Sequence, residues 1–261
     1  MDLPAAHSDL RTELQEIQSA ALGRKFGLKD RRTIDPPPVV QVRVFKTVRD
    51  QDGLPSEIEV EDYSRLETSG LICHIDVFPL SPPAQPSGAV LNPTETLSLS
   101  CSKESTPVTQ EVPVPLTILT PDPQPGSDPD PVIAFVNGAP LRESEAITSE
   151  AVGSRAVEAV SIRYEGRAMM IFTFPDLALR RTGSCFFRYR AFDLRSVATR
   201  SVAGVGSGPI PMLAECYALQ STVIYDSKFF PGLPYSTTLS KVISEQSQGP
   251  RPNIRLPKHT R

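Results

Sequence analysis

The chain has 261 residues, of which 39% are apolar, and its net charge is −3 at pH 7. This length allows one large domain or two small ones, and no apolar stretch approaches the roughly 18 residues that a membrane-spanning helix needs. The negative total argues against nucleic-acid binding, but the bases are concentrated in residues 24–49, 163–200 and 241–261, whereas residues 50–160 hold 18 acids and four bases. Because a polyanion responds to the local field, the total charge does not exclude a basic binding surface.

The first 80 residues predict two strands. Residues 1–9 are expected to be flexible, and residues 9–22 are polar with scattered leucines, which suits either a short helix or an edge strand. The prolines at 36–38 exclude a helix and favour an extended path. In VVQVRVFKTV, residues 39–48, alternating valines predict a strand with one buried face. GLICHIDVF, residues 70–78, is rich in β-forming residues and predicts a second strand.

Residues 81–150 differ in composition from the rest of the chain. Fourteen of the 27 prolines fall between Pro79 and Pro140, and aromatic residues are scarce there. Such a segment buries too little apolar surface to offset the backbone entropy of ordering, which costs about 1–2 kcal/mol per residue. It is therefore predicted to be a mostly disordered insertion, with 94–102 and 132–137 as candidate short strands.

Ordered structure is expected again after residue 150. Further strands are predicted at 158–166, 169–174, 185–192 and 212–226, with a glycine-rich connection before the last. Ser236 is predicted to cap a short helix over 237–246, in which Leu239, Val242 and Ile243 share one face. Many short strands with one short helix predict an all-β sandwich. The insertion interrupts this sandwich and need not divide two domains.

Few residues suggest catalysis. His74 and Asp76 share a strand face, but the chain has no Gly-x-Ser-x-Gly motif and no Walker A sequence, so a structural histidine is favoured over a catalytic pair. No catalytic residue, metal site or cofactor is predicted. The four cysteines, which form no Cys-x-x-Cys pair, are expected to be free thiols of an intracellular protein, as is also suggested by a start without a signal-peptide pattern.

Several motifs in a fixed order resemble one known family. The stretch TELQEIQSAALGRKFGLKDRRTIDPPPVVQVRVF, residues 12–45, resembles the opening of the velvet domain of fungal developmental and secondary-metabolism regulators. LICHIDVF (71–78), the block AVGSRAV…FRYRAFDL (151–194), YDSKFFPGLPYSTTLSKVISEQ (225–246) and NIRLPKH (253–259) are similar to later blocks of that family. The motifs KDRR-x-x-DPPP and FPG-x-x-x-ST make the resemblance specific.

The resemblance implies a fold and a function. It implies one velvet domain over 10–258, interrupted by 81–150 and followed by a tail at 259–261, with an immunoglobulin-like β-sandwich similar to that of Rel-type factors. It also implies a nuclear regulator, found in the cytoplasm as well, that binds double-stranded DNA and controls development, sporulation and secondary metabolism. The expected partners are other velvet proteins, in a homo- or heterodimer, and a methyltransferase-like nuclear regulator; no membrane is expected.

An alternative function stays open at this point. The acidic, proline-rich insertion also suits a dimerisation or adaptor subunit that docks a partner without contacting DNA. The two functions differ in where the basic loops lie in the fold: they should converge on one open surface in a DNA-binding protein.

Eight cations are candidate DNA contacts. Lys29, Arg31 and Arg32 match the basic loop of the family, and the adjacent proline run would fix that loop, so that docking on phosphates costs less entropy. An arginine also offers a planar fork that suits phosphates and guanine edges. The further candidates are Arg24 and Lys25 beside this loop, Arg180 and Arg181 between two strands, and Lys228 before the FPG turn.

Four residues of the strand at 185–192 are candidates for a partner interface. These residues share one face, and an exposed mixture of aromatic and arginine side chains is typical of interface hot spots. They are Phe186, Arg188, Arg190 and Phe192. The alternative is that this face packs beneath the insertion. Phe229 and Phe230 are expected in the core.

Overall fold

A computed structural model describes residues 10–27, 32–49, 54–63, 66–80, 112–121, 129–195 and 210–257. Within these ranges, strands predominate and no helix has the length and apolar character needed to cross a membrane.

The elements follow one another in this order along the chain. The strands are β1 (Leu10–Gln18), β2 (Leu22–Arg24), β3 (Val39–Arg49), β4 (Pro55–Glu59), β5 (Leu71–Pro79), β6 (Ile118–Leu119), β7 (Val132–Val136), β8 (Ala139–Arg142), β9 (Ala151–Val152), β10 (Ala156–Glu158), β11 (Val160–Tyr164), β12 (Arg167–Thr173), β13 (Ala178–Leu179), β14 (Gly183–Asp193), β15 (Met212–Tyr217) and β16 (Thr222–Tyr225). Short 3₁₀ helices cover Glu143–Glu145 and Thr148–Glu150, and helix α1 covers Thr238–Gln246.

The first sheet has the order β1-β3-β12-β11, and β4 pairs with the C-terminal half of β3, from Phe45 to Arg49. In β3, Val40, Val42 and Val44 are buried while Gln41 and Arg43 are not, which confirms the alternation read from the sequence. The polar segment at 9–22 forms strand β1 rather than a helix. It does so because its pairing with β3 directs Leu14 into the core beside the valines.

The second sheet has the order β10-β5-β14-β16-β2, with β15 also paired to β14. Strand β14 is central, and its residues Phe187 and Tyr189 point into the core. There they join Ile75 of the same sheet and Val42 and Phe172 of the first sheet in one buried cluster. Because two sheets share one core, the predicted all-β sandwich is confirmed.

Helix α1 covers part of the outer face of the first sheet. Leu239 and Ile243 pack against Val39, Ile162 and Ile171, as the helical period predicted. The helix also protects an edge strand, because its Gln246 side chain exchanges hydrogen bonds of 2.8 and 3.0 Å with the backbone of Arg163 in β11.

The predicted cap of this helix was off by one residue. The N-cap is Thr237, whose hydroxyl accepts a hydrogen bond from the Ser240 amide at 3.0 Å. Ser236 instead accepts from the amide of Arg255 at 2.9 Å, and this bond ties the C-terminal segment to the start of the helix.

Within the predicted insertion, residues 112–121 and 129–150 are ordered, which is more than the one candidate strand at 132–137. Strands β6, β7 and β8 form a small sheet, and β7 matches the candidate strand at 132–137. Ala134, Val136 and Leu141 join the main core. Few apolar residues suffice because they pack on a sheet that already exists instead of building a core of their own. Residues 81–111 and 122–128, with the candidate strand at 94–102, lie outside the described residues.

Candidate nucleic-acid interface

Strand β2 and Asp35 form the base of the predicted basic loop. The amide of Asp35 donates to the carbonyl of Leu22 at 2.7 Å, and the Asp35 carbonyl accepts from the amides of Ala21 and Leu22. Strand β2 runs parallel to β16, with Arg24 opposite Tyr225. The amide of Lys25 donates to the Tyr225 carbonyl at 2.9 Å. Arg24 and Lys25 therefore lie where these two parallel strands end.

Both flanks of the basic loop lie beside the segment that leads to Arg180. The Phe26 amide donates to the carbonyl of Leu179 at 2.7 Å, and the Ile34 amide donates to the carbonyl of Leu177 at 2.8 Å. Arg32, two residues before Ile34, is exposed. The other two residues predicted in this loop, Lys29 and Arg31, lie outside the described residues.

Arg180 and Arg181 occupy the short connection between β13 and β14, and both are exposed. The connection starts at Leu179, which contacts the loop flank, and ends at Gly183, which pairs with Ile224 of β16. Lys228 lies on the turn directly after β16 and is also exposed. Three segments far apart in sequence thus bring cations to one end of the second sheet. We call this surface the basic edge; it consists of Arg24, Lys25, Arg32, Arg180, Arg181 and Lys228.

An acid at the base of the loop is turned inward. Asp35 is buried, and its carboxylate forms an ion pair with Arg255 from the C-terminal segment. Burial raises the pKa of Asp35, and the Arg255 guanidinium opposes that shift. The proline run that follows is also anchored, since the carbonyl of Pro37 accepts from the Gln18 side chain at 2.7 Å and that of Pro38 from the Phe174 amide at 3.2 Å. Hydrogen bonds to β1 and to the segment after β12 therefore hold the residues that follow the loop.

Gly23 allows the close packing at the loop base. An added Cβ would lie 2.9 Å from the Ile224 Cδ1 atom and 2.9 Å from the Ile34 Cγ2 atom, and both isoleucines are buried. We therefore expect Gly23→Ala to lower the free energy of unfolding by about 1–3 kcal/mol through overpacking. Urea unfolding measures this change. Gly27→Ala is the matched control, because nothing lies within 4 Å of its Cβ position; equal stabilities of the two variants would contradict the prediction.

The expected partner face of β14 is not an open surface. Phe186 is 1% exposed and stacks on Phe78 with ring centroids 5.6 Å apart. Arg188 is 2% exposed and is covered by Glu143 of the first 3₁₀ helix. The interface prediction is thus wrong in its exposure for these two residues, whereas Arg190 and Phe192 are half-buried. The alternative, packing beneath the insertion, describes this face.

The two adjacent phenylalanines predicted in the core both lie outside the core clusters. Phe230 is half-buried and packs edge-on against Tyr225 with ring centroids 6.3 Å apart, and Phe229 is 59% exposed on the same turn as Lys228.

His74 and Asp76 form part of an ion-pair cluster. The Nδ1 atom of His74 lies 3.3 Å from Asp76 Oδ1, and Asp76 Oδ2 binds both Arg188 and Arg190. Burial opposes the shift, but the nearby His74 and the hydrogen bonds from Arg188 hold the pKa of Asp76 below its ordinary value, so the carboxylate is a poor proton acceptor. Within the described ranges, no group of His, Cys, Asp and Glu side chains is suited to hold a metal ion.

The fold and this surface define a β-sandwich domain with a cationic end. The chain belongs to the velvet family, because the family model described as Velvet factor matches residues 12–257. The resemblance read from the motifs is thereby confirmed.

The similarity to named relatives covers most of the chain. A probable velvet family sexual development regulator of Schizophyllum commune is 34% identical, over 92% of this chain and 72% of its own length. A protein with the same description from Laccaria bicolor is 34% identical over 96% of this chain and 71% of its own length. Velvet complex subunit 2 of Gibberella moniliformis is 27% identical over 91% of this chain and 59% of its own length. The similarity thus includes both developmental regulators and complex subunits.

Proposed function

We propose that this protein is a nuclear transcriptional regulator that binds double-stranded DNA through the basic edge. The observation that carries the proposal is the convergence of three basic segments at the ends of β2, β13 and β16. It acts with other velvet proteins, as a homo- or heterodimer, in fungal development, sporulation and secondary metabolism, and it has no enzymatic role. A methyltransferase-like regulator is a further proposed partner, and the cytoplasm a second location.

The electrostatics of the fold support DNA as the ligand. Duplex DNA carries one negative charge per roughly 1.7 Å of helix axis, so that clustered cations gain more from it than scattered ones do. Of the acids in the segments that form the basic edge, Asp35 is paired with Arg255, whereas Asp226 lies on the turn of Lys228 and the Glu150 carbonyl accepts from the Arg180 amide. The six cations of the basic edge outnumber Asp226 and Glu150, so the net charge of −3 of the whole chain does not describe this surface.

A salt titration tests this proposal. If five cations contact phosphates, the logarithm of the affinity should fall with the logarithm of the salt concentration at a slope of about −4.5. Arg180→Ala with Arg181→Ala removes two contacts and should lower the affinity and flatten the slope by about 1.8. Fluorescence anisotropy with a labelled duplex at several salt concentrations measures both quantities.

A variant of equal charge change provides the control. Arg163 and Arg167 are exposed on the β11–β12 hairpin, at the opposite end of β12 from the segment that leads to Leu177. Arg163→Ala with Arg167→Ala should leave the slope within experimental error of the original protein. If both double variants change the slope equally, the cations act through total charge and the basic edge is not the binding site.

The alternative function is a subunit that supplies dimerisation or partner docking without DNA contact. Relatives in Gibberella moniliformis, Fusarium oxysporum and Schizophyllum commune are named velvet complex subunits, which favours a velvet partner under either function. The alternative predicts weak binding that does not respond to Arg180→Ala with Arg181→Ala. Light scattering of the purified chain, alone and mixed with other velvet proteins, determines whether it dimerises.

A further inference from the structure

Phe229 is an exposed aromatic side chain on a fixed turn. It follows β16 by four residues, and its amide donates to the carbonyl of Asp226 at 3.1 Å. The Asp226 carboxylate accepts from the amide of Lys228 at 3.0 Å, which closes the turn a second time. Phe230 then anchors the turn on Tyr225. The backbone of Phe229 is therefore held in place while its ring stays 59% exposed.

Around Phe229, several cations lie close together beside the one exposed carboxylate of its turn, Asp226. Lys228 is exposed beside Phe229, and the carbonyl of Tyr225, at the start of this turn, accepts from the amide of Lys25. Arg180 and Arg181 lie in the connection that ends opposite Ile224. A protein partner that covered this ring would have to desolvate or neutralise these cations. A DNA duplex offers phosphates to the cations and apolar base and sugar surfaces to the ring.

We propose that Phe229 is the apolar DNA contact of the basic edge, entering a groove to touch bases while Lys228 and its neighbours hold the phosphates. This inference rests on the proposed DNA-binding function. Phosphate contacts position a protein on the duplex without reading sequence, whereas apolar contacts to base edges or wedges between base steps depend on sequence. Phe229 therefore contributes to sequence discrimination, and the cations contribute to overall affinity.

The test compares two duplexes, one selected from a random-sequence pool by the full-length protein and one with the same bases scrambled. Phe229→Ala should weaken binding to the selected duplex about 5- to 30-fold, weaken binding to the scrambled duplex less, and leave the salt slope unchanged on both. Phe229→Leu should retain part of the discrimination, because it keeps an apolar side chain. The control is Leu119→Ala, which removes a side chain that is 64% exposed in the small sheet of the insertion.

The outcomes separate the two proposals. No change in the Phe229→Ala variant, or an equal loss on both duplexes, overturns the role of Phe229 while the salt response of Arg180→Ala with Arg181→Ala still supports the basic edge. A flattened slope in Phe229→Ala also overturns it, because an apolar contact releases no counterions. A wild-type chain with no salt-dependent binding to either duplex overturns the proposed function and, with it, this inference.

Discussion

Arg188→Ala is expected to lower the free energy of unfolding by about 3 kcal/mol, the lower end of the range for breaking a buried ion pair. The Arg188 guanidinium binds the Asp76 carboxylate at 2.8 Å and the Glu143 carboxylate at 2.7 Å. Removing it leaves Asp76 buried with less compensation. The loss should stay near the lower end because Arg190 still lies 2.9 Å from Asp76, and the Glu143 side chain can turn to solvent.

The same substitution should loosen the folded part of the insertion. Glu143 belongs to a 3₁₀ helix, and its pairing with Arg188 fastens residues 143–150 to the outer face of β14. Hydrogen exchange should therefore accelerate in the insertion, including the amide of Ile147, which donates to the carbonyl of Val77 in β5. An effect spread evenly over the fold, with no excess in the insertion, would contradict this role of Arg188.

Arg190→Ala is the matched control for Arg188→Ala. Both arginines project from the same face of β14, but Arg190 is half-buried, and its ion pair with Asp76 is 2.9 Å long. We expect Arg190→Ala to lower the free energy of unfolding by about 1 kcal/mol, since partly exposed ion pairs contribute little. Equal losses in urea unfolding would show that burial of Arg188 does not decide the effect.

The loss of stability caused by Arg188→Ala should depend on pH, because Asp76 ionises in the acid range. The pKa of Asp76 lies below its ordinary value of 3.8 in the folded protein, because the hydrogen bonds from Arg188 and the proximity of His74 outweigh burial. A carboxylate with a lowered pKa stabilises the fold above the unfolded value and loses that contribution as the pH falls through the folded one. The difference in the free energy of unfolding between the original protein and Arg188→Ala should therefore become smaller as the pH falls below 3.8.

The sandwich itself could be predicted because its signals are local. The alternation in β3 and β14, the helical period at 239–243 and the ordered family motifs all lie within short windows of sequence. The order of the insertion beyond the candidate strand at 132–137 could not be predicted in this way. Its composition is poor in apolar residues, but burial of Ala134 and Leu141 depends on a sheet that other parts of the chain provide.

The candidate site could be predicted residue by residue but not as a surface. The basic segments are visible in the sequence, yet their meeting depends on the parallel pairing of β2 with β16, which lie about 200 residues apart in the chain. The exposure of Arg188 was predicted wrongly for the same reason, because it depends on distant parts of the chain. Its spacing put it on the outer face of β14 correctly, but Asp76 and Glu143, 112 and 45 residues away, cover it there.

Glu16→Ala is expected to lower the free energy of unfolding by about 3 kcal/mol, because it leaves the buried Tyr189 hydroxyl and the Leu219 amide without an acceptor. Glu16 is 2% exposed, and its carboxylate accepts from the Tyr189 hydroxyl at 2.7 Å and from the Leu219 amide at 2.8 Å. The Ser19 hydroxyl also donates to it. These bonds join β1 of the first sheet to β14 and to the segment after β15, so they connect the two layers of the sandwich through its core.

Glu16→Gln separates the lost acceptor from the lost charge. With its oxygen in the place of Oε2, glutamine can accept from the Leu219 amide and the Ser19 hydroxyl, and its NH2 group can donate to the Tyr189 hydroxyl oxygen, so shape and most hydrogen bonds survive. Burial raises the pKa of Glu16 above its ordinary value of 4.5, although its hydrogen bonds oppose the shift. A carboxyl with a raised pKa costs stability once it is ionised in the folded state, so the cost grows as the pH rises from 4.5 through the folded value.

Between pH 4.5 and neutral pH, the free energy of unfolding of Glu16→Gln should therefore rise relative to that of the original protein. Urea unfolding across this range measures the shift, and Glu16→Ala should show the same pH trend from a lower starting stability. Both variants lack the carboxyl, so only the original protein carries the titration. A difference that is constant with pH would mean that Glu16 ionises as easily in the folded protein as in the unfolded chain. The three donors around it would then fully offset the burial of its charge.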